Sequence, residues 1–350
     1  MSMSTYTVVQ YGLGPIGQSC LRTILGKHPS LKLVGAVDID PDKVGRDVAE
    51  IVGAEQPTGV IVSSDAQSVL ESTQPDVVVH TTSSFLEKMY DQLILCARAG
   101  VNVVSSTEEL SFPYNRHPEI ARRIDDAARE NGVTVLGTGV NPGYAMDSLV
   151  LMATGVCNEV TGIEVQRVVD AGRRRLPLQL KVGASLTPEA FDARKATGRF
   201  GHIGLVESLY MVAEGLGWEL SRVEENLEPV VSAMRVVTPY LTVEAGQVAG
   251  IHHSAAGYVG DTLRISLDLK MYVGAEDPRD AVLIHGDPPI DLVVRGGIFG
   301  DTATVATLIN AIPQVVDAKP GLVTVKDVPF PRALGTRLAL ERTDAVGVSG

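Results

Sequence analysis

Short apolar runs alternate with amphipathic segments in the first part of the chain. The apolar runs are the length of strands buried on both faces, and they lie at 6–11, 31–37, 76–80, 101–105 and 133–136. Segments between them, such as 85–99 and 118–130, repeat apolar residues at the three- and four-residue spacing of helices. Strands that alternate with helices predict an α/β fold with a doubly wound parallel sheet.

The second part of the chain has a different pattern. From 230 to 294 apolar and polar residues mostly alternate, and at 263–270 Leu, Ile, Leu and Leu occupy every second position. This period of two predicts an antiparallel sheet with one covered face, in a separate α+β domain over 144–300. A helix expected from Asp301 should return to the first domain, so that 301–341 complete the domain formed by 1–143.

The first apolar run leads directly into a glycine-rich turn, Gly12-Leu13-Gly14-Pro15-Ile16-Gly17. In such a turn the first glycine allows a tight bend, the second admits a pyrophosphate to the backbone, and the third lets the helix approach the sheet. The helix N-terminus presents unpaired N–H groups to phosphates, and proline suits its first turn. We therefore expect Gly12, Gly14, Pro15, Ile16 and Gly17 to bind a dinucleotide on a Rossmann sheet.

Asp38 ends the second apolar run. It follows the last glycine by about 20 residues, where a carboxylate binds the adenosine ribose hydroxyls. This carboxylate favours NAD because it repels a 2′-phosphate. Lys43 and Arg46 are near enough in sequence to bind that phosphate, so NADP stays possible.

Ligands of open α/β sheets bind beyond the carboxyl ends of the strands. Three loops occupy this position, at 81–84, 105–113 and 137–144. We expect their hydroxyl and amide groups to bind the nicotinamide half of the cofactor, and the candidates are Thr81, Thr82, Ser83, Ser106 and Asn141. Ser84 is alternatively a helix cap.

Two adjacent carboxylates, Glu108 and Glu109, follow a central strand in the middle loop. A carboxylate at the nicotinamide can hold an amine and move a proton while a carbinolamine loses water to form an iminium. Adjacent side chains diverge, so we expect one of the pair to enter the cleft. The Lys or His acid–base group that alcohol oxidation needs is absent from this loop.

Bulk properties exclude several classes of protein. The net charge of −12 over 350 residues disfavours nucleic acid as a partner. No apolar stretch has transmembrane length and no signal peptide precedes the first strand, so we expect a cytoplasmic protein without a membrane partner. The three cysteines and seven histidines show no ligand spacing, and we expect no metal.

The densest charge run is Arg173-Arg174-Arg175. It is either a solvated loop or a contact between domains or subunits.

Several motifs together resemble one family. The turn at 12–17 is joined by Ser-Thr-Glu-Glu-Leu-Ser-Phe-Pro at 106–113 and Gly-Thr-Gly-Val-Asn-Pro-Gly at 137–143. In this order they resemble the 2,4-diaminopentanoate dehydrogenases and the native NAD(P)-dependent amine dehydrogenases, and distantly dihydrodipicolinate reductase. The resemblance implies a homodimer and reversible oxidative deamination, with ammonia and a ketone or aldehyde in the reductive direction. It also places the catalytic glutamate in the Glu108–Glu109 pair, and we favour Glu108.

The leading hypothesis is an NAD(P)-dependent amine dehydrogenase that transfers hydride to an iminium. Small and apolar side chains are expected to shape its carbonyl pocket, and the candidates are Ala145, Met146, Phe200 and Ala303. A diamino acid dehydrogenase or a cyclic-imine reductase is the first alternative, with 173–175 as the source of an arginine for a substrate carboxylate. The second alternative is a redox sensor that binds NAD(H) without chemistry.

Overall fold

The computed structural model describes residues 5–198 and 200–335. The strands are β1 (Tyr6–Tyr11), β2 (Leu31–Val37), β3 (Val62–Ser63), β4 (Val77–His80), β5 (Asn102–Ser105), β6 (Thr134–Gly137), β7 (Glu159–Asp170), β8 (Arg222–Val231), β9 (Val236–Val237), β10 (Thr242–Val243), β11 (Val248–Val259), β12 (Thr262–Tyr272), β13 (Arg279–Asp287), β14 (Ile290–Arg295) and β15 (Gly321–Val323). The helices are α1 (Pro15–Lys27), α2 (Val48–Val52), α3 (Ala66–Thr73), α4 (Leu86–Arg98), α5 (Pro118–Glu130), α6 (Ser148–Thr154), α7 (Leu176–Lys181), α8 (Pro188–Lys195), α9 (Leu205–Gly215), α10 (Gly300–Asn310) and α11 (Ile312–Asp317).

The first sheet has seven strands in the order β15-β6-β5-β4-β1-β2-β3. All its neighbouring strands are parallel. Alternate residues of β1 bury against opposite helix layers, Val9 with α4 and α5 and Val8 with α1, α10 and α11. Because both faces are covered, these strands are continuously apolar, and the predicted doubly wound parallel sheet is confirmed.

The second sheet has six strands in the order β14-β13-β7-β12-β11-β8. Helix α9 packs across one face, where Leu205 and Leu209 lie in one core with Ile265 and Leu267. The predicted second α+β domain is confirmed, but its sheet is mixed because β7 and β12 pair in parallel. Alternation along a strand reports which face is buried and carries no information about the direction of the neighbouring strand.

After β14 the chain returns to the first sheet. Helix α10 lies in the core beside α1, and β15 extends the sheet edge next to β6. The single helix expected from Asp301 to Val316 is divided into α10 and α11, and Pro313 lies in the first turn of α11, where its missing N–H costs nothing. The domain limits 1–143 with 301–341, and 144–300, stay a proposal, and 336–341 lie outside the described residues.

Among residues 5–198 and 200–335, no helix combines the length and apolar character needed to cross a bilayer.

Candidate active site

A cleft of about 380 Å³ opens where the carboxyl ends of the first sheet face the second domain. Four loops that follow strands of the first sheet line it, after β1, β4, β5 and β6, together with α7 and the start of α10. Of the predicted site residues, those on its wall are Gly14, Pro15, Ile16, Thr81, Thr82, Ser83, Ser106, Glu108 and Asn141. The loops expected from the sequence to meet do therefore lie around one space.

The glycine turn has the shape that a pyrophosphate needs. Gly12 has a φ of +90°, a conformation that glycine adopts without strain. A Cβ on Gly17 would lie 1.9 Å from the Gly12 carbonyl oxygen, so the helix approaches the turn more closely than any side chain permits. A Cβ on Gly14 would meet no atom within 4 Å. Gly12 and Gly17 therefore shape the turn from behind, and the open space beside Gly14 fits a dinucleotide phosphate.

Asp38 lies behind this turn and is not on the cleft wall. Its carboxylate accepts hydrogen bonds from the amides of Leu13, at 2.6 Å, and Asp40, at 2.9 Å. The Lys43 ammonium is 3.6 Å from Asp38 Oδ2 and 2.9 Å from Asp40 Oδ2, whereas Arg46 pairs with an exposed glutamate on α2. The loop after β2 therefore folds back and places the Lys43 ammonium beside the Asp38 carboxylate.

The loop after β4 is anchored by buried hydrogen bonds. Thr81 Oγ1 donates to the Gly12 carbonyl at 2.8 Å, which ties this loop to the glycine turn. Beneath it, His80 is fully buried, with its ring nitrogens 2.9 Å from Ser105 Oγ and 2.8 Å from Gln92 Oε1. Burial lowers the pKa of His80 to about 4, so the ring is neutral at physiological pH.

Glu108 projects into the cleft from a single 3₁₀ turn, Glu108–Leu110. The turn rests on the end of β6, where a Cβ on Gly137 would lie 2.6 Å from the Leu110 carbonyl carbon. Burial raises the pKa of Glu108, while the charge of Lys181 and a hydrogen bond with Ser84 act in the opposite direction. The raised pKa makes this carboxylate a better proton acceptor than an exposed glutamate, which suits a group that moves protons.

Glu109 points away from the cleft, so the structure does not support a catalytic role for it. Its Oε2 accepts a hydrogen bond from the Leu86 amide at 2.7 Å and lies 3.1 Å from His117 Nε2. Glu109 thus caps the N-terminus of α4, the role considered for Ser84, and Ser84 lines the cleft instead. Adjacent residues on a tight turn diverge, so only one of the two acids can face the nicotinamide side.

Asn141 presents an unpaired acceptor at the cleft. The residue is 8% exposed, and its Oδ1 is buried without a hydrogen-bond partner among the described residues. Leaving such an acceptor unpaired costs about 1–3 kcal/mol, which a donor from a bound ligand would offset. The N–H groups of a nicotinamide carboxamide are donors of this kind, so Asn141 fits the predicted cofactor.

None of the four residues predicted to shape an apolar pocket lies on the wall of this cleft. Ala145 and Met146 are buried in the core of the second domain. Phe200 packs edge-on against Phe191, with ring centroids 5.0 Å apart. Ala303 faces away on α10, whereas the next residue, Thr304, lines the cleft. Apolar character marks these residues as buried but does not show which space they border.

Basic residues line another part of the wall, namely Arg167, Arg174, Arg175, Lys181 and His202, and the His202 ring is neutral because burial lowers its pKa. Of these, the sequence analysis offered only the run 173–175, as the source of an arginine for a substrate carboxylate. The arginine run was the signal available for two of them. His202 lies between Gly201 and Gly204, two glycines with positive φ, and this was its only local signal.

Two of these arginines join separate elements through carboxylates. Arg174 is buried and donates to Asp301 in the first turn of α10, at 2.6 Å and 3.3 Å. Arg167 forms a buried ion pair with Asp280 and donates to the Ile298 carbonyl at 2.9 Å. The arginine run was interpreted either as a solvated loop or as a contact between domains or subunits. Arg174 fits the contact between domains, whereas Arg173 is exposed to solvent.

Metal-ligating side chains do not converge in the part of the chain that the structure describes. Within residues 5–198 and 200–335, no three His, Cys, Asp or Glu side chains are grouped as ligands.

A dinucleotide turn and a buried carboxylate that share one cleft define a nicotinamide-dependent oxidoreductase. Comparisons with known proteins agree. Residues 144–342 match the family model of the 2,4-diaminopentanoate dehydrogenase C-terminal domain, and residues 7–135 match that of the dihydrodipicolinate reductase N-terminus.

Individual relatives cover nearly the whole chain. The 2,4-diaminopentanoate dehydrogenase of Acetoanaerobium sticklandii is 35% identical over 95% of this chain and 96% of its own. The amine dehydrogenase of Streptomyces virginiae is 24% identical over 94% and 98%. The structure of an amine dehydrogenase from Mycobacterium smegmatis superposes with a TM-score of 0.82 at 25% identity, over 94% of this chain and 97% of that one.

The chain belongs to the 2,4-diaminopentanoate dehydrogenase family, which confirms the resemblance drawn from its motifs. It is an NAD(P)-dependent oxidoreductase that acts on the CH–NH₂ group of small-molecule amines.

Proposed function

We propose that this enzyme catalyses the reversible reductive amination of a ketone or aldehyde with ammonia, through an iminium that accepts hydride. The observation that carries the proposal is the position of Glu108, whose side chain lines the same cleft as Gly14 of the dinucleotide turn. A bound nicotinamide supplies the hydride. A carboxylate beside it is suited to a cationic carbon–nitrogen double bond.

Glu108 has two roles in this proposal. As a carboxylate it holds ammonium, and later the iminium N–H, by a charge-assisted hydrogen bond. As a carboxylic acid it gives a proton to the hydroxyl group of the carbinolamine, which leaves as water. Because burial raises the pKa of Glu108, its carboxylate takes up a proton more readily than an exposed glutamate does, as this double role requires.

Asn141 and the loop 81–84 are proposed to orient the nicotinamide. Its carboxamide would donate to the unpaired Asn141 Oδ1, and the Thr81, Thr82 and Ser83 loop would contact the adjoining ribose. We favour NAD over NADP because Asp38 already neutralises the neighbouring Lys43. A homodimer in the cytoplasm completes the proposal.

The test is a coupled assay of NADH oxidation with short ketones and aldehydes, with and without ammonium. We expect turnover to need both reactants, and Glu108→Gln to lower kcat by about 10²–10⁴-fold while NADH binding is retained. Glu87→Gln, on the exposed first turn of α4, is the matched control and should keep wild-type rates. Full activity of Glu108→Gln would overturn the role of Glu108, and turnover with ketone alone would identify an alcohol dehydrogenase instead.

A diamino acid dehydrogenase is the second candidate, and Lys181 favours it. Among the described residues, Lys181 is the one Lys or Arg side chain of the cleft wall without an ion-pair partner within 4 Å, whereas Arg167, Arg174 and Arg175 face aspartates. An unpaired ammonium on the cleft wall can bind a substrate carboxylate. The A. sticklandii relative is a dehydrogenase of this kind by name.

Lys181→Met separates the two candidates. For a diamino acid substrate we expect its KM to rise about tenfold or more, which is at least about 1.4 kcal/mol. Lys195→Met on α8 is the control. An unchanged KM for substrates with a carboxylate would favour simple amines. Tight NADH binding without turnover of any amine or carbonyl would favour the redox sensor.

A further inference from the structure

Two neighbouring segments carry histidines that the proposed chemistry does not use, one on the cleft wall and one buried in the second domain. His202 lines the cleft, and its Nε2 is buried without a hydrogen-bond partner. His253 on β11 is 4% exposed, and its Nδ1 is likewise buried and unpaired. Buried polar atoms are normally hydrogen-bonded, so these two unpaired nitrogens call for an explanation.

The backbone places the segment that carries His202 beside His253. Gly201 has a φ of +105°, and a Cβ built on it would lie 3.7 Å from His253 Nδ1. The unpaired nitrogen of His253 therefore faces the segment that carries His202, and the two imidazoles interact electrostatically. An internal water between polar groups of this kind makes two or more hydrogen bonds, so a single water can satisfy both nitrogens.

The other side of His253 leads to solvent. Its Nε2 lies 2.9 Å from Glu225 Oε1 on β8, and the Glu225 side chain is 42% exposed. The hydrogen bond with His253 lowers the pKa of Glu225, and Arg116 acts in the same direction. Glu225 is therefore an ionised group at the surface that can accept a proton from water and stabilise an imidazolium beside it.

The charges near His202 keep that ring neutral. Burial lowers its pKa most, and Lys181, His253 and Arg167 act in the same direction. A neutral imidazole that receives a proton in this environment releases it readily, which suits a group that passes protons on.

We propose that Glu225, His253 and His202 form a proton path from solvent to the cleft, which serves the reaction when the cleft is filled. The path rests on the proposed function, whose balance is carbonyl + NH₄⁺ + NADH + H⁺ → R₂CH–NH₃⁺ + NAD⁺ + H₂O. The path supplies the one proton consumed. Each ring gains a proton at one nitrogen and loses one from the other, so no group changes its net protonation over a turnover.

A second route for protons matters when dinucleotide and substrate are bound. They occupy the open side of the cleft, which is also the route by which bulk water reaches Glu108. A path that enters from the opposite face, under β8 and β11, delivers the proton without displacing them.

The test compares His253→Gln with His285→Gln. Gln at 253 keeps a hydrogen-bond donor for Glu225 but cannot carry a proton through a ring. His285 is the matched control because it pairs with Glu164 at 2.8 Å on the same sheet, away from the cleft wall. We expect His253→Gln to lower kcat about tenfold or more with an unchanged carbonyl KM, to enlarge the solvent isotope effect on kcat, and to regain activity in imidazole buffer.

Three different results would contradict either the proton path or the proposed function on which it rests. If the wild type is active and His253→Gln has the same kcat and solvent isotope effect, the proton path is overturned and the proposed function stands. A loss of kcat without a change in isotope effect and without imidazole rescue assigns His253 a structural role and also overturns it. A wild type that aminates no carbonyl overturns the proposed function and the path with it. Should His253→Gln fail to fold, Glu225→Gln at the exposed end carries the same readouts.

Discussion

The guanidinium of Arg174 donates two hydrogen bonds to the carboxylate of Asp301, from Nη2 at 2.6 Å and from Nε at 3.3 Å. The two residues are 127 positions apart in the chain. Arg174 also lies over the ring of Phe299, with its Cζ 5.0 Å from the ring centroid. The contact joins the segment before α7 to the first turn of α10 and so holds one wall of the cleft.

Removing this contact should loosen the wall. We expect Arg174→Ala to lower the free energy of unfolding by about 2 kcal/mol, because a partly buried carboxylate loses a charged donor. Arg173→Ala should change it by less than about 0.5 kcal/mol, since that side chain is exposed. Chemical denaturation checks both, and a double-mutant cycle with Asp301→Ala should return a coupling above about 0.5 kcal/mol. Equal effects of the two arginine variants would contradict this prediction.

Alanine substitutions at two glycines of the dinucleotide turn should have different effects, one on NADH affinity and the other on stability. Gly14→Ala adds a methyl group where no atom lies within 4 Å, so the fold should be kept while NADH affinity falls about tenfold or more. Gly17→Ala places a Cβ 1.9 Å from the Gly12 carbonyl, and the unfolding free energy should fall by about 1–3 kcal/mol. Calorimetry of NADH binding and thermal unfolding distinguish the two. Loss of stability in Gly14→Ala would show that its backbone is already crowded.

Glu109 should behave as a structural residue. Glu109→Gln weakens the cap on α4 and the contact with His117, and we expect a loss of about 1–2 kcal/mol in unfolding free energy. Its kcat should stay within a few-fold of wild type, as kinetics under stable conditions would show. A kcat as low as that of Glu108→Gln, in a protein of normal stability, would reverse the assignment of the two acids.

Cofactor preference should depend on Asp38 and Lys43. We expect the wild type to favour NADH over NADPH, and Asp38→Ser to move the ratio of kcat/KM values towards NADPH by about tenfold or more, because the variant loses the carboxylate that repels a 2′-phosphate and keeps the Lys43 ammonium that lay 3.6 Å from it. Adding Lys43→Ala should cancel that gain. Steady-state kinetics with both cofactors measures the ratio, and a wild type that prefers NADPH would contradict the assignment.

His80 should make stability fall in mild acid. Its pKa is about 4 in the folded protein, against 6.5 as the ordinary value, so the unfolded chain binds more protons between these pH values. The stabilisation is complete above pH 6.5, declines as the pH falls and is lost by pH 4, with a total of order 3 kcal/mol. His80→Gln should flatten this part of the profile, whereas the exposed His285→Gln should not. Unfolding free energies measured from pH 7 to pH 4 provide the check.

The sequence by itself determined the first sheet, the dinucleotide turn and the family. Buried parallel strands are continuously apolar, and two glycine requirements lie within the turn itself, since Gly12 has a positive φ and a Cβ on Gly17 would meet the Gly12 carbonyl. Requirements of such short range can be recognised from the amino-acid sequence alone. The same is true of the loops that meet at the cleft, because the carboxyl ends of parallel strands share one edge of a sheet.

Only the tertiary structure decided how the cleft is lined. Glu108 and Glu109 are equivalent by position, and the contact of Glu109 with the start of α4 is what leaves Glu108 to the cleft. Where the sequence analysis expected apolar side chains, the cleft wall includes Arg174, Lys181 and His202. The physical reason is that hydrophobic period reports whether a side chain is buried, whereas the space it borders depends on contacts between segments far apart in the chain.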